Sequence, residues 1–194
     1  MTEPRSAATP RPAAPLSTTI VLMGVAGSGK STVMAALAAR LGWATAEGDD
    51  FHSPENVARM RSGRPLTDDD RRPWLDALAE WIGEREAADG GAGENAIVTC
   101  SALKRSYRDR LRDGHPSVRF VHLVTPTAAL DTRLRERQGH YMPPALLASQ
   151  IDTLEPLASD EPGTDVPADT ELPAVVNAIL AFLAPLTTRD VASA

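Results

Sequence analysis

The residues with the clearest chemistry lie in Gly24-Val25-Ala26-Gly27-Ser28-Gly29-Lys30-Ser31, which has the spacing G-x-x-x-x-G-K-S. Glycines so spaced let a backbone wind closely around an anion and aim successive N–H groups at its oxygens. In a phosphate-binding loop of this kind the lysine, here Lys30, reaches the β and γ phosphates of a nucleotide, and the hydroxyl of Ser31 can ligate Mg²⁺. The expected ATP contacts are Gly24, Val25, Ala26, Gly27, Ser28, Gly29, Lys30, Ser31 and Thr32. The motif requires a buried strand before it and a helix starting within it, because the helix N-terminus adds partial positive charge beneath the phosphates. Both are legible. The apolar run Thr19-Ile20-Val21-Leu22-Met23 precedes the loop, and Met34, Leu37, Ala38 and Leu41 recur at helical spacing after it.

The second group is acidic. A short strand over 43–46 runs out into Glu47-Gly48-Asp49-Asp50-Phe51-His52, and ligands of open α/β sheets bind outside the carboxyl ends of strands. In an extended segment Glu47 and Asp49 point the same way and Asp50 points oppositely. We therefore expect Asp49 to accept the proton of an acceptor hydroxyl and Glu47 to help hold the Mg²⁺ water shell. The strand over 96–100 ends in Cys100-Ser101 instead of the acid a typical Walker B strand supplies, which leaves metal and base work to the acids after the second strand. No Asn/Thr-Lys-x-Asp stretch for reading guanine occurs.

The third group is basic. Lys104, Arg108 and Arg112 stand four apart on one face of a helix over 104–112. Lys104, nearest the carboxyl end of its strand, is best placed to meet an anion, while most of that face reads as solvated. The helix over 127–138 carries Arg133 and Arg137 on one face. With Gly139 to Pro144 and a second helix over 145–154, it suits a lid, about 133–154, that closes over phosphates and excludes water.

The elements that must position these groups follow from periodicity and breakers. Gly42 ends the first helix, and Ser53-Pro54 starts a short basic one over 55–61. Thr67-Asp68-Asp69-Asp70 reads as a capping box with acids in the first turn, with a metal site as the less favoured alternative. Trp74, Ala77, Leu78, Trp81 and Ile82 share a helical face and should be core. A loop at Asp89 to Gly93 leads to the strand over 96–100, where Cys100 should pack; His122, inside a strand over 118–124, should be a hydrogen-bonded core residue. Pro156, Pro162 and Pro167 confine any strand near 165–168 to a sheet edge. Leu172, Val175, Val176, Ile179, Leu180 and Leu183 define a closing helix that Pro185 should end. The alternation predicts an α/β chain of the P-loop NTPase fold, with a parallel sheet of about five strands and helices on both faces. Residues 1–17 should be a disordered tail, 18–184 a single domain and 185–194 a second tail.

The 194 residues fit one domain, and 42% hydrophobic with 24% charged content is globular. A net charge of -6 argues against a nucleic-acid binder, so an anionic substrate must be met by local basic groups. The single Cys100 excludes an internal disulfide framework, and no apolar run approaches the roughly 20 residues that span a bilayer. Residues 1–17 lack the apolar centre of a secretory signal. The expectation is a cytoplasmic chain with no membrane partner.

With these stretches in hand the sequence resembles the gluconate kinases of the small phosphate-loop type, which are related in fold to shikimate and nucleoside monophosphate kinases. The resemblance rests on the phosphate loop, on Glu47 to His52, and on Gly63-Arg64-Pro65-Leu66-Thr67-Asp68-Asp69-Asp70-Arg71-Arg72-Pro73-Trp74-Leu75. Cys100-Ser101-Ala102-Leu103-Lys104-Arg105-Ser106-Tyr107-Arg108-Asp109 and Arg133 to Tyr141 complete it. It implies Mg²⁺- and ATP-dependent phosphorylation of D-gluconate at its 6-hydroxyl, and a homodimer. It places the family's acid-x-acid pair on Glu47 and Asp49, with Glu where some members have Asp. It also turns His52, Arg59, Lys104 and Arg108 toward the acceptor, where one or more cations would pair with the gluconate carboxylate. Lys30, Arg133 and Arg137 would stabilise charge on the transferring phosphoryl group. The competing expectations are a kinase for another small hydroxy acid such as shikimate, and a sensor that binds ATP without turning it over.

Overall fold

The computed structural model describes residues 17–91, 93–136 and 144–187. Its strands are β1 (Thr19–Met23), β2 (Ala44–Glu47), β3 (Ala96–Thr99), β4 (Val118–Val124) and β5 (Gly163–Pro167). They form one parallel sheet in the order β2-β3-β1-β4-β5. The helices are α1 (Lys30–Leu41), α2 (Pro54–Arg61), α3 (Asp68–Gly91), α4 (Arg105–Arg112), α5 (Thr127–Glu136), α6 (Pro144–Thr153) and α7 (Leu172–Thr187).

All of β1 is buried, because helices cover both faces of the sheet and a central parallel strand then has no polar side to show. Ile20 and Leu22 face one way, into a core completed by Val33, Met34 and Leu37 of α1 and Val175, Val176, Ile179 and Leu183 of α7. Val21 and Met23 face the other, against Trp74, Leu75, Leu78 and Ile82 of α3 and Tyr107 and Leu111 of α4. The predicted core face of α3 is thus found, with Trp81 packed at its margin.

Most boundaries agree with the periodicity. Gly42 ends α1 at φ 69°, its N–H donating to the Ala38 carbonyl, and β5 is an edge strand that tolerates Pro167. His122 is buried and hydrogen-bonded through Nδ1 to Asp165 at 2.9 Å. Thr67 and Asp70 form the expected capping box, with the Thr67 N–H donating to Asp70 and the Asp70 N–H to the Thr67 hydroxyl. Other boundaries differ: α3 continues through the glycine-rich stretch to Gly91, and α7 runs past Pro185 to Thr187. That proline withholds one N–H near the helix end, where few intrahelical bonds remain to be lost.

The largest difference concerns Arg108. Expected on a solvated or acceptor-facing side of α4, it is fully buried. Its Nε and Nη2 donate to the Glu161 carboxylate at 2.6 and 2.9 Å, and its Nη1 and Nη2 donate to the carbonyls of Ala102, Leu103, Glu155 and Pro156. Burial raises the Glu161 pKa, but hydrogen bonds from Arg108 and the Ala158 N–H outweigh it and hold the carboxyl below its usual range. The pair joins the loop after β3, α4 and the segment leading into β5. The same loop contains Ala102 at φ 42°, a left-handed conformation that costs a non-glycine residue about 1–2 kcal/mol.

Arg108→Met should destabilise the domain by about 3–5 kcal/mol, because it leaves the Glu161 carboxylate buried without its partner. Urea denaturation measures this; a loss below about 1 kcal/mol, the size of a surface ion pair, would contradict the role given to this pair.

Candidate active site

The phosphate loop links the carboxyl end of β1 to the first turn of α1. Gly24, Gly27 and Gly29 take φ values of 140°, 80° and 96°, which side-chain-bearing residues avoid, so the glycine spacing is used as the motif requires. Lys30 extends Nζ back over the loop and donates to the carbonyls of Gly24 and Val25, both at 3.0 Å. Ser28 is buried, and a side chain at Gly24 would meet its hydroxyl at 2.9 Å. Val25 is buried in a small cluster with Leu103, Leu130 and Leu147, while Ser31 and Thr32 open α1. The Ala26 N–H donates to Gln150 Oε1 of α6 at 2.7 Å.

The acids lie at the same edge of the sheet. Glu47 is paired in register with Thr99 of β3, and the Thr99 hydroxyl donates to the Glu47 carboxylate while accepting from the Gly48 N–H. Strand geometry stops there. Residues Gly48–Phe51 form a single 3₁₀ turn, so the alternation that aligned Glu47 with Asp49 does not apply to Asp49. The turn is forced inward: a Cβ on Gly48 would stand 2.0 Å from the Thr99 carbonyl oxygen. Trp74 Nε1 then donates to the Gly48 carbonyl at 2.7 Å, and the His52 ring stacks on Trp74 with centroids 4.4 Å apart. Asp49 is exposed on this turn, and Asp49 and Arg71 both act electrostatically on His52. Cys100 is buried as expected, and burial pushes its thiol up to about 12, which leaves it inert as a nucleophile.

The expected acceptor-side cations are each held by an acid. Lys104, the N-cap residue of α4, donates to both Asp68 oxygens at 2.7 and 2.9 Å, and Arg59 meets Asp70 at 2.7 Å. Tyr107 also donates its hydroxyl to Asp68, and Arg71 lies over the Tyr107 ring with its guanidinium carbon 5.6 Å from the centroid. Hydrogen bonds from Lys104 and Tyr107 hold the Asp68 carboxyl below its usual range. Arg108 leaves the set: all of its donor atoms are spent inside the protein.

Residues 20–157 match the AAA domain family. The chain is 51% identical to the gluconokinase of Gluconobacter oxydans over 74% of its own length and 78% of that protein's. It is 42% identical to the thermoresistant gluconokinase of Escherichia coli over 75% and 80%. This chain belongs to the gluconokinase family. The crystal structure of a gluconokinase from Sinorhizobium meliloti superposes with a TM-score of 0.78 at 43% identity, covering 90% of this chain and 95% of that one. The P-loop kinase fold expected of a gluconokinase-family sequence is therefore the fold observed.

Within this gluconokinase-family chain, Arg133 of α5 donates from Nη2 to the Ala168 carbonyl at 2.6 Å. Its Nη1 is 3.9 Å from where a Cβ on Gly29 would sit, so it stands between the phosphate loop and the end of β5. Arg137 lies outside the described residues. The C-terminal half of the expected lid adds to the core: Leu146 and Leu147 of α6 are buried, with Ile151 and Leu154 packed beside Leu147. The Ser31 hydroxyl and Glu47 carboxylate are hard oxygen donors. They suit a divalent ion that keeps most of its water and takes its other ligands from phosphate.

Residue-by-residue reading missed Thr99, Trp74, Arg71 and Tyr107 as parts of the site. Trp74 was read as core, which it also is. Arg71 and Tyr107 fall inside the stretches that carry the family resemblance, the only signal that marked them.

Burial lowers the His52 pKa below its ordinary 6.5, with Asp49 opposing and Arg71 assisting. The unfolded chain therefore binds a proton that the folded one resists, and this contribution to stability is present above about 6.5 and lost as pH falls. His52→Gln should lose less Tm than the wild type between about pH 7.5 and 5.5. Parallel Tm curves would show that His52 is not buried in this way.

Proposed function

We propose that this chain transfers the γ-phosphoryl group of ATP to the 6-hydroxyl of D-gluconate, releasing ADP and 6-phospho-D-gluconate. The observation that carries the reading is the juxtaposition, in a gluconokinase-family chain, of an intact phosphate loop with an acid and paired cations at one sheet edge. Loop N–H groups other than that of Ala26, which is bonded to Gln150, hold the triphosphate together with Lys30, with Gly24 to Thr32 forming its seat. Lys30 exchanges its two carbonyl partners for phosphate oxygens. Asp49 takes the proton of the attacking hydroxyl. Ser31 and, through water, Glu47 would hold Mg²⁺, which would screen charge on the phosphates. Arg133 and Arg137 stabilise charge that builds on the transferring group.

On the acceptor side, Lys104 and Arg59 meet the gluconate carboxylate and His52 a hydroxyl. Arg71, already beside Tyr107 and Asp68, joins them. The remaining parts of the proposal are a homodimer that works in the cytoplasm, free of nucleic acid. Among the described residues no helix is long and apolar enough to cross a membrane.

The direct test is ADP release with Mg-ATP and D-gluconate, shikimate, neutral sugars or no acceptor. Release with gluconate alone, with the 6-phosphate as product, is the expected outcome; equal release with shikimate would contradict the assignment. Asp49→Asn should cut kcat by roughly 10²–10⁴-fold with ATP binding kept, the range of a lost general base. Unchanged kcat would remove Asp49 from that role. Lys104→Ala should raise the gluconate KM about tenfold or more, as loss of a charge-assisted hydrogen bond does, with little effect on the KM for ATP.

A further inference from the structure

Helix α6 faces the phosphate loop with Leu147, Gln150 and Ile151, a spacing that lines one side of a helix, and Leu154 follows just after its end. The apolar members of that face pack into the cluster built around Val25, Leu103 and Leu130, so α6 is seated against both the loop and α5. Gln150 is the polar member. Its only side-chain hydrogen bond among the described residues is the one its Oε1 accepts from the Ala26 N–H at 2.7 Å.

That bond fixes the carboxamide's orientation. A backbone N–H can only donate, so the oxygen of Gln150 must face Ala26 and its NH₂ must face away. The amide's NH₂ is thereby held as a donor beside the phosphate loop. Ala26 is the third residue of the loop and its neighbours Gly24 and Gly27 are the turns that shape the opening.

We propose that Gln150 is a nucleotide-binding residue that reads the terminal phosphate of ATP, donating from Nε2 to a γ-phosphoryl oxygen while its Oε1 stays on the Ala26 N–H. The inference rests on the kinase reading above and adds to it a donor from outside the loop. A donor so placed favours ATP over ADP, because only ATP carries the group it addresses. It also couples α6 to the nucleotide state, since the same side chain touches both.

Gln150→Glu separates this role from a structural one. The carboxylate still accepts from the Ala26 N–H, so loop and fold are kept, but it has no donor and sets a negative charge against the phosphate. Binding of AMP-PNP and of ADP, each with Mg²⁺, is measured by calorimetry on wild type, Gln150→Glu and Gln150→Ala, alongside Tm. Gln150→Glu should keep the wild-type Tm and weaken AMP-PNP binding roughly tenfold or more, as loss of a hydrogen bond to a charged group does, with ADP affinity changed about threefold at most. Gln150→Ala should fall between the two. Gln150→Glu that binds AMP-PNP like the wild type overturns the proposal, as does an equal loss for both nucleotides, which would mean a loop-shaping role alone. A wild-type chain that binds neither nucleotide overturns the kinase reading and this inference with it.

Discussion

The site depends on a single guanidinium that never reaches it. The loop after β3 has to leave the sheet, hold Ala102 in a left-handed conformation and bring Lys104 to the start of α4 and to Asp68 within five residues of Thr99. Ala102 and Leu103 are buried and the Gly24 N–H donates to the Ser101 carbonyl, but the buried carbonyls of this loop still need donors. Arg108 supplies them from one turn into α4, by donating to the carbonyls of Ala102 and Leu103 while its charge is met by Glu161. The Glu155 N–H donates back to the Leu103 carbonyl at 2.8 Å. Arginine suits the position because its planar fork serves several acceptors at once without losing its charge. A hydrophobic replacement of both Arg108 and Glu161 would relieve the cost of burying the ions but take the Arg108 donors away from the carbonyls of Ala102, Glu155 and Pro156.

The acidic side shows a second kind of dependence, between neighbouring strands. β3 ends without an acid, and Glu47 stands level with its end on β2. The Thr99 hydroxyl ties the two together by bonding both the Glu47 carboxylate and the Gly48 N–H. An acid therefore stands at this level of the sheet one strand over, and Thr99 holds it there. Gly48 lets the next turn approach β3 at backbone distance, and Trp74 closes it from α3.

Local features of the fold were legible in the sequence. The phosphate loop, the strand over 118–124, the cap at Gly42 and the edge position of β5 follow from spacing and from residues with one conformational habit. The sequence reading failed where a residue's partner lies far along the chain. Arg108 shares a helical face with Lys104 and Arg112 and looks solvated; its burial depends on Glu161, 53 positions later. The extended reading of Glu47 to Asp49 failed because strand pairing with Thr99 and the indole of Trp74 decide where β2 stops. Gln150 has no motif to mark it, since only packing of α6 against Val25 brings it to the loop.

If Lys104 and Arg59 face the acceptor as proposed, their pairing with Asp68 and Asp70 gives that side a near-zero balance of charge before any substrate arrives. An entering carboxylate gains little from bare attraction, because each cation must first loosen its hold on an internal acid. Small free anions lack the hydroxyls that would offset this exchange. The arrangement acts as a filter: it gives up some affinity for anions in general and keeps it for a ligand whose several polar groups engage together.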